Sequence, residues 1–196
     1  MISVRTALDW VLDDICALGT ERVPLPAALG RVLVEPVQAQ RDVPPFRNAA
    51  MDGFAVLAAD VAAATADAPI SLRVLETVGA GSVPHHRIVS GTATKIMTGS
   101  PMPDGADAVV RVEDTEEQNG HVRIRVGVGP GTSVRHPGED MRAGDTVLQA
   151  GRRLRPADIG LLASLGVAVV QVRRRPLVAI LSTGDELVEL GEPLAP

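Results

Sequence analysis

Four segments of the sequence place carboxylates, hydroxyls or a guanidinium in short stretches rich in glycine or proline. Side chains of these types bind cations and oxyanions, so the four segments are the first candidates for a functional site. Their chemistry-bearing residues are Asp52; Thr98 and Gly99; Arg135 and Asp140; and Ser182, Thr183, Gly184, Asp185 and Glu186.

The first two segments predict rigid loops that hold a polar group at a fixed point. Two prolines stiffen the approach to Asp52, as a metal or proton site requires, although Asp52-Gly53 by itself is also a common turn. In the second segment, Gly99 lets the backbone come close to a ligand and Thr98 adds a hydroxyl. This loop either offers N–H and O–H donors to an oxyanion or is a proline-braced connection between strands.

The other two segments carry opposite charges or follow an apolar run. Arg135 lies close in sequence to Glu139 and Asp140, which suits a site for an oxyanion and its cation, or a surface ion pair worth ~0–1 kcal/mol. The segment 182–186 directly follows an apolar strand, and ligands bind at the carboxyl ends of strands in open α/β sheets. A helix N-cap is the competing role for its two hydroxyl residues.

The elements that must position these segments are predicted to be mostly strands. Apolar residues at helical spacing predict a helix over 3–18, and a second helix begins at Pro156 and stops at Gly166. The segment 21–40 is predicted to be a strand, one helical turn and another strand. Further strands are predicted at 70–78, 122–126 and 167–172 and between Gly144 and Gly151.

Composition and charge exclude several classes of function. The 196 residues are 45% hydrophobic, which is typical of a globular protein, and only 2% are aromatic. The net charge of −5 argues against a nucleic-acid partner, and so few aromatics leave no stacking platform for single strands. Cys16 is alone and no apolar run approaches membrane-spanning length, so we expect a cytoplasmic protein with no membrane partner.

One apolar run predicts a strand without its sheet. Residues 177–181 are uninterrupted and apolar, the pattern of a strand buried on both faces of a parallel sheet. Parallel partner strands are reached through crossover helices, and only fifteen residues follow Leu181. We therefore expect the chain to be cut within an α/β domain, and residues after about Val172 to be poorly ordered or packed in a non-native way.

Taken in order, the segments resemble those of one family, the molybdopterin molybdotransferases, which include the MoeA-type enzymes and the gephyrin E domain. The resemblance runs over essentially the whole chain. It is carried by 44–56, 96–110 with Glu113, 135–140, 159–166 and 179–187. The sequence departs from the family at Ala49, Phe54 and Ser100, where Ser, Tyr and Ala are usual.

The resemblance implies an enzyme that inserts molybdate into adenylylated molybdopterin, releases AMP and uses a divalent cation such as Mg²⁺. Matched motif to motif, the family's functional residues fall on Asp52, Thr98, Asp140 and Glu186. We expect Asp52 and Asp140 to orient the cation or the substrate, which makes them the candidate metal ligands. Thr98 is expected to contact an oxyanion, and Glu186 to line a pterin pocket. The candidate substrate-binding residues are Arg135, Gly99, Ser182, Thr183, Gly184 and Asp185.

The resemblance also implies a multi-domain, mixed α/β architecture. An N-terminal helix (1–20) docks on a molybdopterin-binding α/β domain that starts within 177–196. A small mixed domain (21–41 and 142–176) carries an inserted β-rich domain (42–141). Since the family's later pterin- and molybdate-binding loops and the docking surface of the helix lie beyond this chain, we expect the chain alone to be inactive and its helix to be marginal.

Assembly and alternatives follow from the same resemblance. The intact enzyme is expected to be a homodimer, with each site built from both subunits, and a molybdopterin adenylyltransferase is a candidate partner. The alternative is a non-catalytic binding or scaffolding module of the same fold, as in the gephyrin branch.

Overall fold

The computed structural model describes residues 2–13, 15–184 and 187–193. They form two compact units: one comprises Met1–Pro36 and Leu148–Pro196, and the other comprises Val37–Val147. We call these the outer unit and the inserted unit, because the second is a single insertion in the first. The predicted four-part domain division is finer than these two units and stays a prediction.

The secondary structure is mostly short strands with few helices, which confirms the predicted mixed α/β class. The helices are α1 (Val4–Asp13), α2 (Ala58–Val61) and α3 (Pro156–Ser164), with 3-10 turns at Leu25–Ala28 and Val112–Asp114. The strands are β1 (Thr20–Pro24), β2 (Val37–Gln38), β3 (Asn48–Ala49), β4 (Gly53–Val56), β5 (Ile70–Val78), β6 (Thr92–Ile96), β7 (Ala108–Arg111), β8 (Thr115–Gln118), β9 (His121–Ile124), β10 (Val134–Arg135), β11 (Thr146–Leu148) and β12 (Val169–Arg173).

A six-stranded sheet is the frame of the inserted unit, in the order β7-β4-β6-β5-β9-β8. All neighbours are antiparallel except β5 and β6, which are parallel. Every residue of β4 is buried, since Phe54 and Val56 pack into one apolar cluster and Ala55 into another. Successive side chains of a strand point to opposite faces, so the two clusters cover the two faces of the sheet.

The outer unit is held by the antiparallel pair β1–β12 and by α3. Asp158 fixes the start of α3, because its carboxylate accepts the N–H of Arg155 (2.9 Å) and Nη2 of Arg152 (2.8 Å). The Arg152 guanidinium accordingly holds the pKa of Asp158 below its ordinary value. Gly166 ends the helix with a φ of 78°, as predicted.

The apolar run 177–181 forms no strand in the described residues, which agrees with the expectation that it lacks its sheet. No strand or helix lies between Arg174 and Gly184, and Leu177, Ile180 and Leu181 have exposed fractions of 101%, 90% and 87%. A buried parallel strand needs partners on both sides, and the described residues supply no partner for this segment.

The first helix is shorter than the predicted 3–18, and it packs on nothing that the structure describes. Ser3 is its N-cap, since the Ser3 hydroxyl accepts the N–H of Thr6 (3.1 Å). None of its residues is buried, and its apolar stripe, which includes Val4, Leu8 and Val11, is exposed. No helix of the described residues has the length and apolar character needed to cross a membrane.

Deletion of residues 2–13 should leave the thermal stability of the chain almost unchanged, because α1 buries no side chain. We expect Tm to move by less than about 2 °C, which corresponds to at most ~1 kcal/mol. Leu162→Ala is the control: this side chain is fully buried, and the change should cost about 2–5 kcal/mol. A clear fall in Tm on deletion, measured by calorimetry, would contradict the exposed position of the helix.

Candidate functional site

Asp52 and Thr98 form the centre of the candidate site. Both the backbone N–H and the hydroxyl of Thr98 donate to the same oxygen, Asp52 Oδ1, each at 2.7 Å. The sheet brings the two residues together. Gly53 pairs with Ile96 across β4 and β6, so the residue before one strand lies near the residues after the other.

Gly53 is required for this arrangement. A Cβ at this position would lie 1.9 Å from the carbonyl oxygen of Val110 in β7, so every larger residue would push the two strands apart. The N–H of Val112 also donates to the backbone carbonyl of Asp52 (3.0 Å). The Asp-Gly pair is therefore more than a turn, since it lets the backbone before β4 lie against β7.

The Asp52–Thr98 pair faces an open cleft of about 330 Å³. Among the polar residues of this cleft, the sequence motifs include Asp52, Thr98 and Glu113 but not Arg111, which lies at the end of β7. The Arg111 guanidinium donates to Asp114 Oδ2 from Nε (3.1 Å) and Nη2 (2.9 Å). Only the pairing of β4 with β7 brings Arg111 here, and no local sequence signal reports that pairing. The lining residues are Met51, Asp52, Thr98, Arg111, Val112 and Glu113.

The Thr98 hydrogen bonds lower the pKa of Asp52. The backbone N–H of Thr98 has the largest effect and its hydroxyl the next, and together they hold this pKa below its ordinary value of 3.8. Asp52 is a carboxylate at neutral pH, and the bonds fix where that charge lies. A threonine hydroxyl has a single hydrogen, so while Thr98 donates to Asp52 it has none left for an oxyanion.

Gly99 and the buried Ser100 continue the Thr98 loop. Gly99 has a φ of 82°, a conformation that favours glycine, and open space lies where its Cβ would be. Its N–H donates to the carbonyl of Ala49 (2.8 Å) and is thus already used within the protein. The predicted role of Gly99 in substrate binding stays a prediction.

The short strand β3 joins the third segment to the first two. Ala49 accepts the N–H of Gly99 and pairs with Val134, while Asn48 pairs with Arg135 of β10 and bridges to Pro101. The segments that contain Asp52, Thr98 and Arg135 are thus adjacent in the inserted unit.

Arg135 and Asp140 form an ion pair, which is one of the two arrangements that the sequence predicted for this segment. Arg135 Nη2 donates to Asp140 Oδ1, and Arg135 Nε lies 3.6 Å from Glu139 Oε1. The hydrogen bond from Arg135 to Asp140 raises the pKa of the guanidinium, which stays charged. Asp140 is tied to the frame because its N–H donates to the carbonyl of Val43 (2.9 Å). Asp140 is exposed and Arg135 is half-buried, so a ligand can reach the pair from solvent.

The donor set limits the kind of metal site that these residues can form. Over the described ranges, no three His, Cys, Asp or Glu side chains are grouped closely enough to hold a metal ion. Mg²⁺ is commonly held by one or two carboxylates together with substrate oxygens and waters rather than by a complete protein cage. The roles of Asp52 and Asp140 as metal ligands stay predictions.

The fourth segment belongs to the outer unit and lies outside any helix or strand. Ser182, Thr183 and Gly184 are exposed, and the carbonyl of Gly184 accepts the N–H of Leu187 (3.1 Å). Asp185 and Glu186, for which a pterin-side role is predicted, lie outside the described residues.

A second cleft in the inserted unit, of about 340 Å³, holds the two adjacent histidines of the chain. Glu76 Oε1 accepts the backbone N–H groups of His85 (2.9 Å) and His86 (2.8 Å), and His86 Nδ1 lies 3.4 Å from the same carboxylate. These contacts hold the loop in position. None of the predicted site residues lines this cleft.

The comparisons with known proteins agree with these motifs. The family model for the MoeA N-terminal region (domains I and II) matches residues 2–166. A molybdopterin molybdenumtransferase of Nostoc sp. is 44% identical over 100% of this chain and 46% of its own length. A molybdopterin molybdenumtransferase 2 of Mycobacterium tuberculosis is 45% identical over 100% of this chain and 48% of its own length.

A solved structure leads to the same family. The molybdopterin biosynthesis MoeA protein of Pyrococcus horikoshii OT3 superposes with a TM-score of 0.88 at 40% identity, over 98% of this chain and 51% of that protein. The chain therefore belongs to the MoeA family, in which it matches the N-terminal region. It spans about half the length of the relatives that it matches.

Thr98→Val should raise the pKa of Asp52 only part of the way to its ordinary value of 3.8, because the larger cause, the backbone N–H, remains. A carbon NMR titration of the Asp52 carboxyl group measures this. Since the folded pKa is the lower one, the Thr98 bonds stabilise the fold above the unfolded pKa, and that stability is lost as the pH falls through the folded pKa. Thr98→Ser, which keeps the hydroxyl, should titrate as the parent does. An unchanged pKa in Thr98→Val would show that the hydroxyl is not bonded to Asp52.

Proposed function

We propose that this chain forms part of an enzyme of molybdenum cofactor biosynthesis that inserts molybdate into adenylylated molybdopterin and releases AMP. The observation that carries the proposal is the Asp52–Thr98 pair at an open cleft, in a chain of the MoeA family. The names of the relatives support it, since those of Nostoc and M. tuberculosis are molybdopterin molybdenumtransferases. We propose the cytoplasm as the location.

The role proposed for each side chain follows from its charge. Asp52, held in place by Thr98, orients the substrate and serves as an oxygen ligand for a divalent cation such as Mg²⁺. When bound, the cation supplies positive charge that offsets the charges of the oxyanion and the carboxylate. Arg135 keeps N–H donors beyond those used on its own carboxylate partners, and these suit an oxyanion.

The fourth segment supplies the pterin side of the proposal. Glu186, with 182–185, contacts the pterin substrate. We do not propose the scaffolding alternative, because the relatives carry the names of transferases. A molybdopterin adenylyltransferase is the proposed source of the substrate, and we expect this chain alone to be inactive.

Asp52→Ala and Asp140→Ala should reduce turnover far more than stability, because both carboxylates are exposed and lie in loops. The test uses the full-length form, by which we mean this chain extended by the further half that its relatives carry. We expect AMP release to fall by about 100-fold or more, as when a charge-stabilising group is removed, with Tm within ~2 °C of the parent.

Asp107→Ala is the matched control for these variants. Asp107 Oδ1 accepts the N–H of Ala58 at the start of α2 (2.7 Å), so its loss should cost about 1–2 kcal/mol of stability and lower Tm. Turnover per folded molecule should stay near that of the parent. If Asp52→Ala and Asp140→Ala lowered Tm as Asp107→Ala does and kept turnover, the carboxylates would be structural.

We further propose that the full-length form is a homodimer with sites shared between subunits. Asp52 and Glu186 variants are each expected to be inactive, and mixing them should restore activity if each site takes one of these residues from each subunit. Random exchange makes about half of the dimers mixed, and each restores one of two sites, so about a quarter of the activity should return. Subunits shown by mass spectrometry to exchange, with no activity regained, would exclude such a shared site.

A further inference from the structure

We propose that Arg111 is a substrate-binding residue whose guanidinium contacts an oxyanion group, either molybdate or a phosphate of the pterin substrate, in the Asp52 cleft. The proposal rests on the proposed function and adds to it the residue that supplies positive charge at this site. Asp114 is then a positioning residue that acts through Arg111.

The two carboxylates of the cleft make a cationic side chain necessary if an oxyanion is to bind there. Two carboxylates line it, Asp52 and Glu113, and both disfavour an approaching oxyanion. Arg111 is the only cationic side chain among the cleft's lining residues, all of which lie in the described part of the chain. Without Arg111, the charged side chains that line the cleft would be the two carboxylates alone.

The sheet fixes where Arg111 stands. Arg111 pairs with Gly53 in the β4–β7 ladder, next to Asp52, and a Cβ on Gly53 would lie only 3.0 Å from the Cα of Arg111. The hydrogen bond from Val112 N–H to the Asp52 carbonyl (3.0 Å) locks the following residue as well. Residues placed by strands hold their geometry more closely than residues on loops, so the charge is in position before a ligand arrives.

The guanidinium keeps donors that a ligand can use. Two of its five N–H groups point to Asp114 Oδ2, from Nε and Nη2. Within the described residues Asp114 is its only hydrogen-bond partner, and the Arg111 side chain is 52% exposed. The free edge of the planar group thus has N–H donors in the geometry that suits oxyanions.

The other candidate donors at the site are more fully engaged. Thr98 donates its N–H and its hydroxyl to Asp52, and Gly99 donates its N–H to the carbonyl of Ala49. Arg135 is shared between Asp140 and Glu139, two carboxylates, whereas Arg111 faces one. The oxyanion contact predicted for Thr98 is therefore better filled by Arg111.

The test is steady-state AMP release by the full-length form, with molybdate and adenylylated molybdopterin varied in turn. Arg111→Gln should raise the KM for one of the two substrates by about 10-fold or more, as expected for a lost charge-assisted hydrogen bond, with kcat within about 2-fold. The substrate whose KM rises tells molybdate from phosphate. Arg111→Lys, which keeps the charge but lacks the planar guanidinium, should recover part of the affinity.

Arg123→Gln is the matched control. Arg123 is 54% exposed, pairs with the carboxylate of Glu116 at 3.4 Å, and lies in β9 outside the cleft. Its substitution should leave both KM values within about 2-fold, which separates a local contact from a general change in surface charge. Asp114→Asn should raise the same KM as Arg111→Gln, but by less, and leave kcat near that of the parent.

The outcomes separate the two proposals. Unchanged KM values in Arg111→Gln, with Asp52→Ala inactive, would overturn the role of Arg111 and leave the proposed function standing. An active Asp52→Ala would overturn the proposed function itself. If Arg111→Gln fails to fold, calorimetric titration of Arg111→Lys with molybdate and with inorganic phosphate decides: weakened binding of either supports the proposal, and parent-like binding of both overturns it.

Discussion

The close approach of β4 and β7 at Gly53 is the contact on which the candidate site depends. Only glycine leaves room for the Val110 carbonyl oxygen, which would lie 1.9 Å from any Cβ there. The two antiparallel ladders on either side of β4 then fix Asp52 before it, Thr98 beyond β6 and Arg111 at the end of β7. Three polar groups of the cleft are thus placed by one buried strand, through backbone geometry and apolar packing.

The polar contacts of the site have a second consequence, which is that they fix the positions of its charged groups. Thr98 orients Asp52, Asp114 orients Arg111, and Asp140 orients Arg135. Such pairs are exposed and contribute little to stability, so their value lies in orientation. Each side chain has already lost much of its rotamer freedom, and a ligand does not have to supply that ordering free energy.

Local patterns in the sequence predicted local features of the fold. The alternation at 70–78 matches β5, and Pro156 and Gly166 mark the ends of α3 because their backbone preferences act on near neighbours. Which strands pair is a non-local property, so the position of Arg111 beside Asp52 was not predictable. The apolar run at 177–181 shows the same dependence on partners, since such a run becomes a strand only where partner strands exist, and none is present among the described residues.

In the candidate site, the position of a residue does not by itself determine which of its hydrogen-bond donors are free to bind a ligand. The sequence motifs contain Asp52 and Thr98, which the structure brings into contact, but the number of hydrogen-bond donors left free depends on the folded contacts. Once Thr98 is bonded twice to Asp52, the only hydrogen of its hydroxyl is used, and the pair acts as one fixed negative group. A negative group that must admit an oxyanion needs positive charge beside it. In this chain β7 brings that charge to the cleft as Arg111, held by one carboxylate and open to solvent on its remaining edge.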